Sequence, residues 1–487
     1  MHQPTKRGAV LKPDIPSDGK LIQVRSAPMW DDQEQVYKML YRPYPKNSPH
    51  RYSAALALSK DGIHWEKPRL GEVELDGSKD NNHIDIASLG RSKLWNVVIA
   101  PDAPDPSQRY KGFLENPFLP VVSPDCIHWR KLDVPAMPGG DESILTYDRQ
   151  HRRFLAMLKF HGRYGRAFNI SMSQDFRNWS KPRFLFGTDA EDQKQAVDVI
   201  RRRLTNPFYS KPTWIDPHRA TGWKPPADYQ SRPGYHQSWN AQSYNIAVFP
   251  YEGLFVGLPA IYYPTGNAPG ERNTDGFYQI QLAMTRDLKQ WRRLGDRKPF
   301  IGTSRIDKGI IGVFDRMQLL PTNQPVDRGE ELWFYYSGHK WRVSPYGLNL
   351  DDGSKRDPST LTPPEKADLE EGSGAVCLAV LRKDGFISLD ADGEGGHMLT
   401  KPVELTGSTM FLNLDAGSNG SARVEVLDES GNPIDGFSRL DGMAVTGNSV
   451  RLPVRWKVQS SLSELIGRTV RLKIYLRDAS LYAFWTE

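Results

Sequence analysis

A short segment of the form Ser-x-Asp-x-x-x-Trp recurs along the chain, and no other sequence feature limits the fold as strongly. It reads Ser59-Lys60-Asp61-Gly62-Ile63-His64-Trp65, Ser123-Pro124-Asp125-Cys126-Ile127-His128-Trp129 and Ser173-Gln174-Asp175-Phe176-Arg177-Asn178-Trp179. Thr285-Arg286-Asp287-Leu288-Lys289-Gln290-Trp291 is a fourth copy, and Arg382-Lys383-Asp384-Gly385-Phe386-Ile387-Ser388 a decayed fifth. Each has the chemistry of a hairpin corner: Asp accepts local backbone N–H bonds, the next residues turn the chain, and Trp opens a new strand and packs between sheets. The repeated Asp61, Asp125, Asp175 and Asp287 are therefore expected to be structural.

Reading backward from each corner gives a recurrent order of apolar strands, among them Val36–Tyr41, Leu94–Ile99, Arg153–Phe160, Gly253–Tyr263 and Glu331–Tyr336. Five four-stranded units fit this order, so the sequence predicts an all-β chain with a five-bladed β-propeller over residues 1–397. Two stretches, about 188–240 and 344–372, break the rhythm and read as loops inserted into blades. The Arg201-Arg202-Arg203 run in the first reads as a solvated face. From about residue 398 the Trp corner stops. Met410–Leu414, Ala422–Leu427, Ser449–Trp456, Thr469–Leu476 and Ala479–Phe484 alternate apolar and polar residues, which predicts a C-terminal β-sandwich over 398–487. Its expected role is structural, packing or presenting a sugar-binding or dimer surface.

Composition agrees with short strands joined by turns: of 487 residues, 41 are Gly and 37 Pro, and 11% are aromatic. The formal charge of +6 is spread along the chain and does not argue for nucleic acid. No apolar run approaches the roughly 20 residues that cross a bilayer, and the opening Met-His-Gln-Pro-Thr-Lys-Arg-Gly lacks the apolar stretch of a signal peptide. Location and oligomeric state stay open. Cys126 and Cys377 have no Cys or His at zinc-ligand spacing and read as inert thiols; no metal or other cofactor is expected.

In a propeller, the innermost strand of each blade starts at the face where the second strand ends, so functional side chains belong at those positions. This filter selects His83 and Asp85 at the start of blade two, Asp141 and Glu142 at the start of blade three, and Asp315 with Arg316 in the first strand of blade five. Second-strand ends add Arg42 with Tyr44, Glu115 with Asn116, Lys159 with His161, and His339 with Arg342. Blade one brings Arg25 to the axis and blade four Gln242, Tyr244 and Asn245. Asp141 and Glu142 are adjacent on a strand, so only one of them can line the axis. Asp315 is an acid among apolar neighbours, which requires a partner or a function. Acids, amides and aromatic rings converging on one cavity suit carbohydrate, and glycosidic cleavage needs a carboxylic acid with a carboxylate.

Ser59 to Glu66 resembles the Ser-x-Asp-x-x-His-Trp-Glu segment after the first blade of the invertase and fructanase family (family 32), which shares its five-bladed propeller with the arabinanase and xylosidase families (family 43). That resemblance implies a propeller glycoside hydrolase with a C-terminal β-sandwich. Residues 140 to 179 resemble the blade bearing the family's Arg-Asp-Pro motif, and the resemblance places Asp141 at its transition-state-stabilising Asp. Two departures stand out. The family's nucleophile motif would fall near Val24 to Pro28, which holds no carboxylate, and its acid near Tyr244-Asn245. The resemblance thus does not carry sucrose or fructan hydrolysis by that mechanism.

The reading as a whole is a glycoside hydrolase acting on a plant or algal oligo- or polysaccharide. Asp141, Asp315 and Glu115 divide the acid, base and orienting roles, and His83, Asp85, Glu142, Arg25, Arg42, His161, Tyr244, Asn245, Arg316 and His339 bind substrate. A non-catalytic glycan-binding propeller and a glycoside phosphorylase are the alternatives. Two carboxyl groups facing one cavity would favour hydrolysis, and a basic cluster beside a lone acid would favour phosphorolysis.

Overall fold

The computed structural model describes residues 1–45, 54–90, 93–115, 118–216, 219, 238–267, 274–343, 345–347 and 357–487. Among these the chain is all-β, with two α-helices and several short 3-10 turns. It divides into a larger unit, Thr5–Val326 with Trp333–Val380, and a smaller one, Met1–Pro4 with Asp327–Leu332 and Leu381–Glu487.

The larger unit contains five antiparallel sheets in a propeller-like series. The first is built on Val36–Pro43 and Ala54–Ser59, the second on Leu94–Ile99 and Tyr110–Leu114, and the third on Ile144–Asp148, Arg153–Gly162 and Gly165–Ser173. The fourth is built on Gln242–Tyr251 and Leu254–Asn267, and the fifth on Gln318–Pro321, Glu331–His339 and Gly374–Arg382. Apolar clusters join neighbouring sheets. Leu40 and Leu56 of the first pack with Val97 and Val121 of the second, and Phe113 and Val122 of the second with Leu145 and Phe154 of the third. Tyr335, Val376 and Leu378 of the fifth pack with Met39 and Tyr41 of the first.

Three expectations change here. The fifth sheet is completed by Thr5–Leu11, which pairs with Gly374–Arg382 and was not read as a strand, whereas Phe386–Leu389 does not join it. Residues 310–317 form no strand, so the fifth sheet's first strand begins at Gln318. His83–Ile84 pairs with Ala54–Ser59 as the outer strand of the first sheet, and the second sheet begins at Leu94. The insertions carry helices as well as loops. Ala190–Thr205 is capped by Asp189, whose side chain accepts from Asp192 N while Asp192 returns the bond, and Pro363–Glu371 is capped by Thr362 and Glu365. Within the basic run Arg203 is buried and donates to Ser210 O and Arg316 O, so that residue is no part of a solvated face.

The repeated corners form as their residues dictate. In all four, Asp Oδ1 accepts the backbone N–H groups two and three residues on. The residue after each Asp takes a left-handed backbone: Gly62, Cys126, Phe176 and Leu288, with φ between 57° and 83°. Only the first is glycine, so the other three bear a steric cost of about 1–2 kcal/mol each that the Asp bonds and apolar burial offset. The tryptophans then wedge in, Trp179 within 5.4 Å of Phe113 and Trp291 against Gly257, where a Cβ would stand 2.6 Å from the indole.

In the smaller unit one sheet contains Leu389–Ala391, Ala479–Thr486, Met410–Asp415 and Asn448–Pro453. The other contains Gly396–Leu399, Thr469–Arg477, Val403–Glu404 and Ser421–Leu427. Met410, Leu412 and Leu414 of the first and Val424, Leu472 and Ile474 of the second share one core. The longest segment of this unit starts at Leu381, ahead of residue 398, because Leu389–Ala391 and Gly396–Leu399 pair inside it.

Candidate active site

A cavity of about 400 Å³ in the larger unit receives side chains from all five sheets. Gln23, Arg42 and Tyr44 come from the first, Lys93 and Trp95 from the second, and Asp141 and Glu142 from the segment entering the third. The fourth supplies Tyr244, and the fifth Gln318, His339, Trp341 and Arg342. Most of these residues sit at first-strand starts and second-strand ends, and Ser373, before the third strand of the fifth sheet, lines the cavity as well.

The aromatic and cationic groups of the wall are stacked on one another. The Arg42 guanidinium lies 4.2 Å from the Tyr44 ring centre and 5.1 Å from that of Trp95, while Arg25, behind the wall, lies 4.4 Å from Trp95. Lys159 Nζ stands 4.3 Å over Tyr244. Such contacts hold the ring faces rigid.

Of the five candidate acids, Asp85 lies away from the cavity, and the structure separates the other four. Asp141 is exposed at the wall, with Lys159 Nζ 2.9 Å from its Oδ1. Desolvation by the surrounding wall would raise its pKa, but Lys159, with Lys93 and Arg166, holds it below the usual carboxylate value. Glu142 also lines the cavity, but Arg25 takes both of its oxygens, Nε to Oε2 at 2.5 Å and Nη2 to Oε1 at 2.6 Å. Glu142 has φ 63°, which breaks the strand alternation expected of adjacent residues and lets both acids reach the cavity. Arg25 is fully buried; desolvation opposes its charge, and Glu142 overrides that and raises its pKa.

Glu115 stands behind the wall. Its Oε1 accepts from Trp95 Nε1 at 2.5 Å and its Oε2 is 3.3 Å from Lys93 Nζ. Burial lifts its pKa above the ordinary value, and Lys93 offsets part of that rise. Glu115 therefore positions two lining side chains and does not itself face the cavity. Asp315 is the clearest correction. Its Oδ2 accepts from Lys6 Nζ at 2.7 Å and Tyr336 Oη at 2.8 Å, it is buried, and it does not line the cavity. The partner that an acid in apolar surroundings demands is a lysine from the N-terminal strand.

The remaining candidates divide as well. Arg42, Tyr244 and His339 line the cavity. Asn245 is buried beside it, its amide donating to Glu142 O at 3.3 Å. Arg316 is turned away onto Asp368, a carboxylate of the helix Pro363–Glu371 that Lys340 also holds at 2.8 Å. His83 is buried with Nε2 3.1 Å from Ser17 O, and Asp85 is exposed and caps Ser88 N. The two do not form a shared binding face because their segment is an outer strand. His161 is exposed beyond the lining. Asn116 lies outside the described residues.

Sequence reasoning missed Lys93, Trp95, Gln23, Gln318 and Trp341. The first two sit where the second sheet's first strand starts, and assigning that start to the segment of His83 and Asp85 hid them. His339 is buried against the wall, where desolvation, followed by the charges of Arg25 and Arg342, pushes its pKa down to about 3, leaving a neutral imidazole. Among the described residues no group of three or more His, Cys, Asp or Glu is disposed to hold a metal, and no helix is long and apolar enough to cross a membrane.

No protein-family model matches the chain, and no curated protein matches it. Among solved structures it is similar to a glycoside hydrolase at 12% identity, covering 78% of this chain and 92% of that one with a TM-score of 0.41. It is also similar to the α-L-arabinanase of Penicillium chrysogenum, at 11% identity, 78% and 99% coverage and a TM-score of 0.38. A third likeness is to the family 43 arabinoxylan arabinofuranohydrolase of Bacillus subtilis, at 9% identity, 99% coverage of both chains and a TM-score of 0.36. Likenesses this remote leave the chemistry to be read from the chain's own residues.

Proposed function

We propose that the larger unit is a five-bladed β-propeller, that the smaller is a β-sandwich, and that the chain is a carbohydrate-active enzyme that hydrolyses a glycosidic bond in the central cavity. The observation that carries this reading is Asp141, a carboxylate at the wall of a cavity that also presents ring faces (Tyr44, Trp95, Tyr244, Trp341), amides (Gln23, Gln318) and the cations Arg42, Lys93 and Arg342. Ring faces stack on the apolar faces of sugars and amides pair with hydroxyls. A carboxylate held ionised by Lys159 can accept a proton from an attacking water, and the departing sugar oxygen then takes its proton from solvent, a demand that is least for the phenolate leaving group of an aryl glycoside.

Both oxygens of Glu142 are taken by Arg25, so Glu142 braces the surrounding wall. That commitment favours, as the second reading, chemistry with a single mobile acid: phosphorolysis, or glycan binding without turnover.

A panel of aryl glycosides and plant and algal polysaccharides, assayed with the full chain and with Asp141→Asn, tests the assignment. Loss of a proton-transferring group is expected to lower kcat about 10²- to 10⁴-fold with little change in sugar affinity. The acid limb of the pH–rate profile should lie below the usual carboxylate range, because Asp141 is held ionised. Equal turnover by the Asn variant overturns the role of Asp141, and sugar binding with no turnover on any substrate selects the binding reading.

A further inference from the structure

We infer that the Arg342 side of this cavity is an oxyanion subsite, taking a carboxylate or phosphate group through Arg342 with Arg42 and Lys93 on the same lining. This deepens the carbohydrate reading above and rests on it.

Each anionic group at the wall is already matched by a cation. Glu142 has Arg25, and Asp141 has Lys159. Lys93 is shared with Glu115, which burial drives toward its neutral form. Arg342 differs from these. Its Nε donates to Tyr262 Oη at 3.1 Å and to Thr274 O at 2.8 Å, and its guanidinium lies 4.9 Å to 5.4 Å from the ring centres of Tyr262, Tyr278 and Tyr244. Among the described residues it forms no salt bridge: the Asp275 carboxylate acts on it only through space, is turned onto the backbone amides of Thr213, Trp214 and Gly276, and is driven toward its neutral form by burial. The rings and the two acceptors fix the plane of the guanidinium and leave its two terminal nitrogens for a ligand, the geometry in which arginine reads oxyanions with paired donors.

A second feature points to the same ligand. His339 lies one strand end from Arg342 on the lining, is almost wholly buried, and its Nε2 has no hydrogen-bond partner. A buried polar atom without a partner is costly in a finished core, and is explained where a bound group completes it. The groups facing this imidazole are the cations Arg25 and Arg342, with Gln318 opposite it in the sheet and Gly374 beside its ring. No carboxylate is among them. Burial is the main reason His339 is neutral, and an anion beside Arg342 would offset the further depression that Arg25 and Arg342 add.

Two sources supply this chemistry: a uronate carboxylate carried by the glycan, or free phosphate bound beside the sugar. Titration calorimetry of the full chain at low salt, with sodium phosphate, galacturonate and glucose as probes, distinguishes them. At least one oxyanion should bind and glucose should bind more weakly. Arg342→Gln, which keeps an amide for Tyr262 and Thr274, should weaken the oxyanion at least tenfold, as should Arg42→Gln, with near-ultraviolet circular dichroism confirming that both fold. Bound oxyanion should also shift the His339 ring resonances upward in pKa, a readout independent of catalysis.

Preferential galacturonate binding assigns the site to a charged sugar. Preferential phosphate binding, with sugar phosphate appearing only when phosphate is present, assigns it to the co-substrate. Glucose equalling both oxyanions, or Arg342→Gln binding them as tightly as the parent, overturns the inference. If neutral glycosides are still cleaved in an Asp141-dependent manner in that case, the function stands and only the subsite falls.

Discussion

Arg25 and Glu142 offer the sharpest test of how this site is held together. Arg25 is completely buried and Glu142 nearly so, and the pair joins the first sheet to the segment entering the third, while Arg25 also reaches Ser337 Oγ of the fifth sheet at 3.2 Å. Unit charges about 4 Å apart at an effective dielectric constant of about 20 attract by about 4 kcal/mol. Removing one of them leaves the other buried without its counter-charge, which costs about 3–5 kcal/mol. Arg25→Met and Glu142→Gln should each destabilise the larger unit by an amount in that range, and the double variant should cost at least about 2 kcal/mol less than the sum. Urea unfolding followed by tryptophan fluorescence measures all four proteins, with Trp95 stacked on Arg25 as a local reporter. Additivity within about 0.5 kcal/mol would refute the claim that the two charges act as a unit.

Other outcomes follow from single contacts. His339 has a folded pKa of about 3 against 6.5 when free, so the unfolded chain binds more protons between those values. Stability from this group is complete above pH 6.5 and is lost as pH falls toward 3; His339→Gln should flatten that part of the stability–pH curve, and an unchanged curve would count against a buried neutral imidazole. Glu252 and Gly253 form a two-residue hairpin, closed by the pair Tyr251 and Leu254, with φ of 43° and 72°. Glu252→Asn should raise the thermal midpoint by stabilising the turn about 0.5–1 kcal/mol, because Asn-Gly suits two left-handed residues; a lower midpoint would contradict the turn type. Asp125→Ala removes the acceptor for Ile127 N and His128 N and should cost about 1–3 kcal/mol in the same urea assay, whereas a neutral result would show that the corner is held by Trp129 alone.

What could be read from the residues was whatever is local. The Asp corners depend on an acceptor and donors two and three positions away, so their spacing reveals them without a structure. The strands of the smaller unit follow a period of two, and the observed Met410–Asp415, Ser421–Leu427, Asn448–Pro453, Thr469–Arg477 and Ala479–Thr486 lie close to the expected runs. The pairing of Thr5–Leu11 with Gly374–Arg382 escaped notice because partners so distant in sequence leave no shared local signal.

The site was legible only in outline, for the same reason. Strand order placed Arg42, Asp141, Glu142, Tyr244 and His339 near one cavity, but an acid's role depends on which cation reaches it through space. Asp315 met Lys6, Glu142 met Arg25 and Asp141 met Lys159, and each pair decided whether its carboxylate was structural, committed or accessible. The sequence by itself determined the corners, the strands and the list of ionisable groups, because those depend on neighbours along the chain. Only the tertiary structure decided which charges cancel and that Arg342, among the described residues, forms no salt bridge, because Coulomb attraction acts across distances that sequence separation does not measure.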